Sequence, residues 1–186
     1  MGHRKGSTGI FNTLINPHTD HMDISAFISH YAAYDLWANK RLADRLSREP
    51  DTVLDAPVKS SFPSLRATLM HVRNAEAAWF QRMSGIQQVW PAEPTDEFGT
   101  FLKHVTVMCD YARSLSAGEL LAEASYKDLK GNTHTSPRWQ ALMHCFNHGT
   151  YHRGQIVTIM RGLGLEEIPA MDLIVFQRLL AKGDLG

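Results

Sequence analysis

The run His148-Gly149-Thr150-Tyr151-His152-Arg153-Gly154-Gln155 lies inside a segment, Arg138 to Arg161, that the sequence predicts as one long helix. Pro137 opens it and Gly162 or Gly164 ends it, as proline at a helix start and glycine past its end do. His148 and His152 are four residues apart. At about 3.6 residues per turn they stack on one face, roughly 6 Å apart along the axis. Two imidazoles so placed can grip one divalent metal ion from one side. A third ligand must come from elsewhere in the fold.

Three more long segments carry helical periodicity. Asp23 to Ser47 brings Ile24, Phe27, Ile28, Tyr31, Tyr34 and Trp37 round at three- and four-residue steps, with Asp23 or Ser25 to cap it. Pro50 and Pro57 then bracket a loop. A second helix starts near Pro63-Ser64 and runs to about Ser84, with Gly85 as its stop. Pro91 and Pro94 interrupt the next stretch. A third helix runs from about Thr95 to Leu115, with Thr95 and Asp96 as capping candidates. Residues 117–136 differ: Glu123 to Tyr126 and Asn132 to Thr135 flank a Lys130-Gly131-Asn132 turn, which reads as a short hairpin or an irregular loop. A short helix from about Ala170 to Ala181 closes the chain. The expected fold is all-α, a four-helix bundle with a short hairpin-like insert before the last long helix and a short C-terminal helix. Residues 1–22 form a polar leader, expected to be disordered or foreign to the natural chain, with Met22 a candidate natural start; 23–186 form the bundle.

Composition bounds the function. The 186 residues are 44% hydrophobic and 20% charged, with 19 Lys+Arg against 19 Asp+Glu. A neutral chain lacks the basic excess that nucleic acid or an anionic membrane surface demands. No apolar run approaches the roughly 18 residues of a membrane helix. The two cysteines, Cys109 and Cys145, form no CxxC pair, and a reducing cytoplasm with free, buried thiols is the simplest expectation.

His71 supplies the candidate third ligand. It follows Leu69 and Met70 close to the apolar face of the second helix. A polar imidazole there needs a partner to avoid a desolvation penalty of roughly 1–3 kcal/mol. A metal is one such partner; a core hydrogen bond is the commoner one. Three neutral imidazoles and a water would suit zinc, nickel or another first-row divalent ion.

Around these, His144 points about 80° away from His152 in projection, which suits a supporting or core role. Cys145 could border the site, although a buried helical thiol is its simpler role. Asp35 and Asn39 form a polar i,i+4 pair that could hydrogen-bond a ligand histidine or a metal-bound water, or serve in capping or surface solvation. Glu76 and Arg153 could meet a substrate carboxylate or form a structural ion pair, and the latter is favoured. Gly149 and Gly154 suggest close helix approach beside the ligands. Trp37, Trp79 and Trp139 are core or interface anchors.

Beyond spacing, the chain resembles the DinB / YfiT-like superfamily of four-helix-bundle metalloproteins. The matching residues are Tyr34 to Leu42 in the first helix, then Leu65 to Val72 with Glu76 and Trp79. In the fourth they are Leu142, His144, Asn147, His148 and Tyr151 to Gln155. The resemblance implies a metal held by three histidines, which map to His71, His148 and His152. It also implies an unusual connection order and frequent dimers. Members with known activity include transferases and isomerases that use low-molecular-weight thiols.

Two classes of function are therefore expected. One is a metal-dependent enzyme of thiol-transferase, isomerase or hydrolase type, acting on a small thiol or electrophile. The other is a stress-associated metal-binding or dimeric helical protein without catalysis. A homodimer is expected because Tyr31, Tyr34 and Trp37 lie on more than one side of the first helix and the third is apolar over a broad arc.

Overall fold

The computed structural model describes residues 23–88 and 97–185. The predicted leader, residues 1–22, and the capping candidates Thr95 and Asp96 lie outside them. Among the described residues, seven helices and one hairpin follow in order: α1 (Ile24–Leu46), α2 (Asp51–Leu54), α3 (Leu65–Ser84), α4 (Glu97–Ser114), α5 (Ala117–Leu121), β1 (Glu123–Lys127), β2 (Thr133–Pro137), α6 (Arg138–Gly162) and α7 (Leu173–Lys182). The fold is the expected all-α bundle, and the insert is a hairpin rather than an irregular loop.

Local chemistry sets the helix ends. The Asp23 side chain accepts from the Ser25 amide at 2.9 Å, so Asp23 is the cap of α1. Ser64 accepts from the Ala67 amide at 3.1 Å and starts α3. Gly85 ends α3 at φ 73°, a conformation open to glycine at little cost. Two short helices escape the periodicity. The four residues of α2 bury one apolar side chain, Leu54. In α5, Ser116 and Glu119 form a reciprocal capping box, a signal that Ser-x-x-Glu carries in the sequence.

The four long helices are not arranged in chain order. α1 packs against α4 and α6, and α3 packs against the same two. Consecutive long helices α1 and α3 therefore occupy opposite corners. Residues 47–64 are long enough to cross the end of the bundle, whereas a short loop would have made α1 and α3 neighbours. Arg66 pins this crossing: its guanidinium donates to Asp51, Asp55 and Glu97, tying α2 to α3 and α4. The connection order makes α3 and α6 neighbours, and so sets His71 opposite the histidine pair.

α7 lies across α1. Phe176 is buried against Tyr34, Trp37 and Ala38. Arg41, Arg45 and Tyr34 donate to the backbone carbonyls of Ala170, Glu166 and Met171, fastening the approach to α7. The aromatic face of α1 on which a homodimer was expected is covered from within the chain.

Candidate metal centre

His71 comes from the middle of α3, and His148 and His152 from successive turns of α6. Their Nε2 atoms converge. His71 Nε2 lies 2.9 Å from His148 Nε2, which lies 3.1 Å from His152 Nε2, and the three ligand atoms all fall within 4.8 Å of one another. Zinc holds imidazole nitrogens at about 2.0–2.1 Å, so tetrahedral ligand nitrogens sit about 3.3 Å apart. Two of the three separations are close to that spacing, and the donor set fits a first-row divalent ion. Among the described residues no carboxylate or thiol joins it.

The electrostatics favour the neutral imidazoles that coordination needs. Burial, and then the neighbouring His152, His71 and His144, push the pKa of His148 down to about 4. Burial lowers His71, with His152 adding to it. Burial also lowers His152, against a hydrogen bond from its ring to Gln155. Three imidazolium ions cannot share this space, whereas three neutral imidazoles could hold a metal ion there.

Aromatic rings wall the cluster. Phe62, just ahead of the Ser64 cap, stacks on His71 with centroids 4.3 Å apart and reaches His152 at 5.7 Å. Tyr151 meets His152 edge-on at 5.0 Å. His152 Nδ1 lies 2.8 Å from Gln155 Oε1, and Gln155 Nε2 donates to Ser61 Oγ at 2.9 Å. Phe62 and the role of Gln155 are missing from the sequence reading. Gln155 is three residues after His152, so helical spacing could have found it. Phe62 lies outside the helices, where no periodicity speaks for it.

The other candidates fall elsewhere. Asp35 and Asn39 are fully buried and face Arg153, not a ligand histidine. Arg153 Nη1 donates to Asp35 Oδ1 at 2.5 Å and to Asn39 Oδ1 at 3.2 Å, and Asn39 donates to Asp35 Oδ2 at 2.9 Å. Burial works against the charge of Arg153, and Asp35 more than offsets it. Arg153 is thus half of a structural ion pair, with Asp35 rather than Glu76. Burial first and Asp35 second hold the Glu76 carboxyl well above the usual range, and its partner is the buried Cys145, Sγ to Oε2 3.4 Å. Both cysteines are free and buried. His144 is exposed, 4.9 Å from the Trp79 ring and 6.2 Å from that of His148. Gly149 does mark a close approach, to Asp35 and Arg153, whereas nothing stands within 4 Å of the position a Gly154 side chain would take.

Fold and site together define a class: a four-helix bundle of crossed connection order whose α3–α6 seam carries three histidines able to hold a metal ion. Residues 19–180 match the DinB family, and the chain belongs to it. It is similar to Protein DinB of Bacillus subtilis (strain 168), 30% identical over 158 residues that span 78% of this chain and 91% of that protein. No helix among the described residues is long and apolar enough to cross a membrane.

Proposed function

We propose that the chain binds one divalent first-row metal ion, zinc or nickel, through His71, His148 and His152, and that it catalyses transfer of a low-molecular-weight thiol. The observation that carries this is the convergence of three Nε2 atoms with separations of 2.9 and 3.1 Å, free of any carboxylate. Three protein ligands are the number a catalytic site keeps when one position stays open. Bound there, the ion would favour the deprotonated form of a thiol or water at neutral pH.

The surrounding residues narrow the reaction class. His71, His148 and His152 hold and orient. Phe62 stacks on His71, and Tyr151 meets His152 edge-on. The bundle's buried carboxyls are committed inward: Asp35 to Arg153, Glu76 to Cys145. A hydrolase must protonate a poor leaving group, and among the described residues no carboxyl joins the triad to do so. Thiol transfer needs little proton handling. A groove of about 630 Å³ has Tyr151 and Gln155, the neighbours of His152, in its lining together with Lys59 and Gly154, and is large enough for a small electrophile. The buried free thiols suit a reducing cytoplasm.

A homodimer is a separate proposal. With α1 covered by α7, it rests on α4, whose Phe98, Leu102, Val107 and Tyr111 are only partly buried.

The test is metal-dependent conjugation of a small thiol to an electrophile, comparing wild type with His152→Ala. A rate that needs both metal and His152 supports the activity. Equal rates, or none above buffer with a panel of thiols, moves the function to metal binding without catalysis.

A further inference from the structure

The geometry points to Gln155 as the positioning residue of the triad. We infer that its carbonyl oxygen fixes His152 as the Nδ1–H tautomer and so presents the Nε2 lone pair to the metal. This rests on the metal-binding reading above.

A neutral imidazole carries its proton on one nitrogen only, and the hydrogen bond at one ring nitrogen decides which is free. His152 Nδ1 lies 2.8 Å from Gln155 Oε1. An amide oxygen can only accept, so Nδ1 carries the hydrogen and Nε2 is bare. Nε2 is the atom that converges with those of His148 and His71. Among the described residues, His152 is the one ligand histidine whose Nδ1 has such a partner. The far end of the amide is anchored in turn, on a hydroxyl that can accept or donate. Gln155 Nε2 donates to Ser61 Oγ at 2.9 Å. Turned over, the amide would donate to Nδ1 and force the hydrogen onto Nε2, where it would block coordination.

Ser61 immediately precedes Phe62, the ring stacked on His71. The two anchors therefore belong to one strap, residues 61–62, which crosses from the end of the α2–α3 connection to both ligand helices. One end holds the tautomer of a ligand on α6. The other walls a ligand on α3. Partners of this kind behind a ligand histidine typically change metal affinity 10–100-fold when removed.

Three variants separate this role from packing. Gln155→Leu keeps the bulk and loses the acceptor. Gln155→Glu keeps an acceptor that cannot be turned into a donor while ionised. Ser61→Ala frees the far end of the amide. Two readouts apply: nitrogen-15 NMR of the His152 ring in metal-free protein at neutral pH, and zinc affinity by competition with a chelating dye. Wild type and Gln155→Glu should show the proton on Nδ1. Gln155→Leu should show a mixture, or Nε2–H, and a 10–100-fold weaker zinc affinity, with Gln155→Glu close to wild type. Ser61→Ala should fall between the two. A wild-type His152 protonated on Nε2, or Gln155→Leu with unchanged tautomer and affinity, would overturn the assignment. If wild type takes up no zinc at all, the metal reading fails, and the tautomer measurement alone still decides the role of Gln155.

Discussion

Gly149 and Gly154 lie on the same helix and have opposite surroundings. A Cβ at Gly149 would stand 3.2 Å from Arg153 Nη1 and 3.3 Å from Asp35 Oδ1. Neither atom is free to move, because each holds the other in the core. At Gly154 the space is open. Alanine is worth up to about 1 kcal/mol over glycine inside a helix. Gly154→Ala should therefore stabilise by about 0.5–1 kcal/mol in urea denaturation, and Gly149→Ala should forfeit that gain or reverse it. Equal gains at both positions would refute the crowding at Gly149. At the cluster itself, His148→Ala should remove most of the bound metal and leave the helical circular dichroism unchanged. The pH dependence has a defined sign. The folded pKa of His148 is depressed to about 4 from an ordinary value of 6.5. The unfolded chain therefore takes up its proton first as pH falls, so the stability linked to neutral His148 is present above about pH 6.5 and is lost on descent towards 4. For metal-free protein, the Tm advantage of wild type over His148→Gln should shrink across that window. Comparing the two cancels opposing contributions such as that of Glu76. An advantage that grows on acidification would contradict the depressed pKa.

At the scale of elements, a buried ion pair joins α1 to α6, and an aromatic plug joins α7 to α1. Asp35 and Arg153 are almost wholly inaccessible. Removing one partner strands the other charge in the core and should cost about 3–5 kcal/mol, while replacing both by apolar residues should cost less. A thermodynamic cycle over Arg153→Met, Asp35→Leu and the double variant would show this as strong favourable coupling; additive losses would mean that the pair does not act as one unit. Phe176 is the single fully buried side chain of α7. Phe176→Ala should release α7 and expose residues 163–172 to proteolysis before the bundle melts. Cleavage no faster than in wild type would mean that the backbone bonds to Arg41, Arg45 and Tyr34 hold the segment without the plug.

For the whole molecule, the hydrophobic core is continuous without any ion: Leu42, Leu69, Phe101, Met108, Leu142 and Phe146 come from all four long helices and belong to one cluster. A metal at the α3–α6 seam is thus bound by a bundle that is already folded. Chelation should leave the far-ultraviolet circular dichroism intact and lower Tm only by the binding linkage, about 2.7 kcal/mol of stability at a free ion concentration 100 times Kd. Loss of helical signal on chelation would make the ion a folding cofactor instead. Light scattering at micromolar concentration decides the homodimer, and a monomer would remove α4 as an interface.

What the sequence by itself determined was whatever local periodicity and capping can encode. The apolar steps from Ile24 to Leu46 and the Ser64 and Gly85 ends of α3 depend on neighbours three or four residues away. The same is true of the His148–His152 stack, whereas His71 was a candidate partner from its place near an apolar face, and the family resemblance joined it to the pair. Only the tertiary structure decided where polar residues look. Asp35 and Asn39 have a spacing that would serve a ligand histidine equally well, but the crossed connection order places α1 beside α6, where the guanidinium of Arg153 has the stronger claim on a buried carboxylate. The aromatic face of α1 read as an interface because no periodicity shows that α7, more than 120 residues later in the chain, folds back over it. Phe62 was invisible for a like reason: a loop residue has no period, and its contact with His71 exists only because the crossing strand of chain ends at the seam where α3 meets α6.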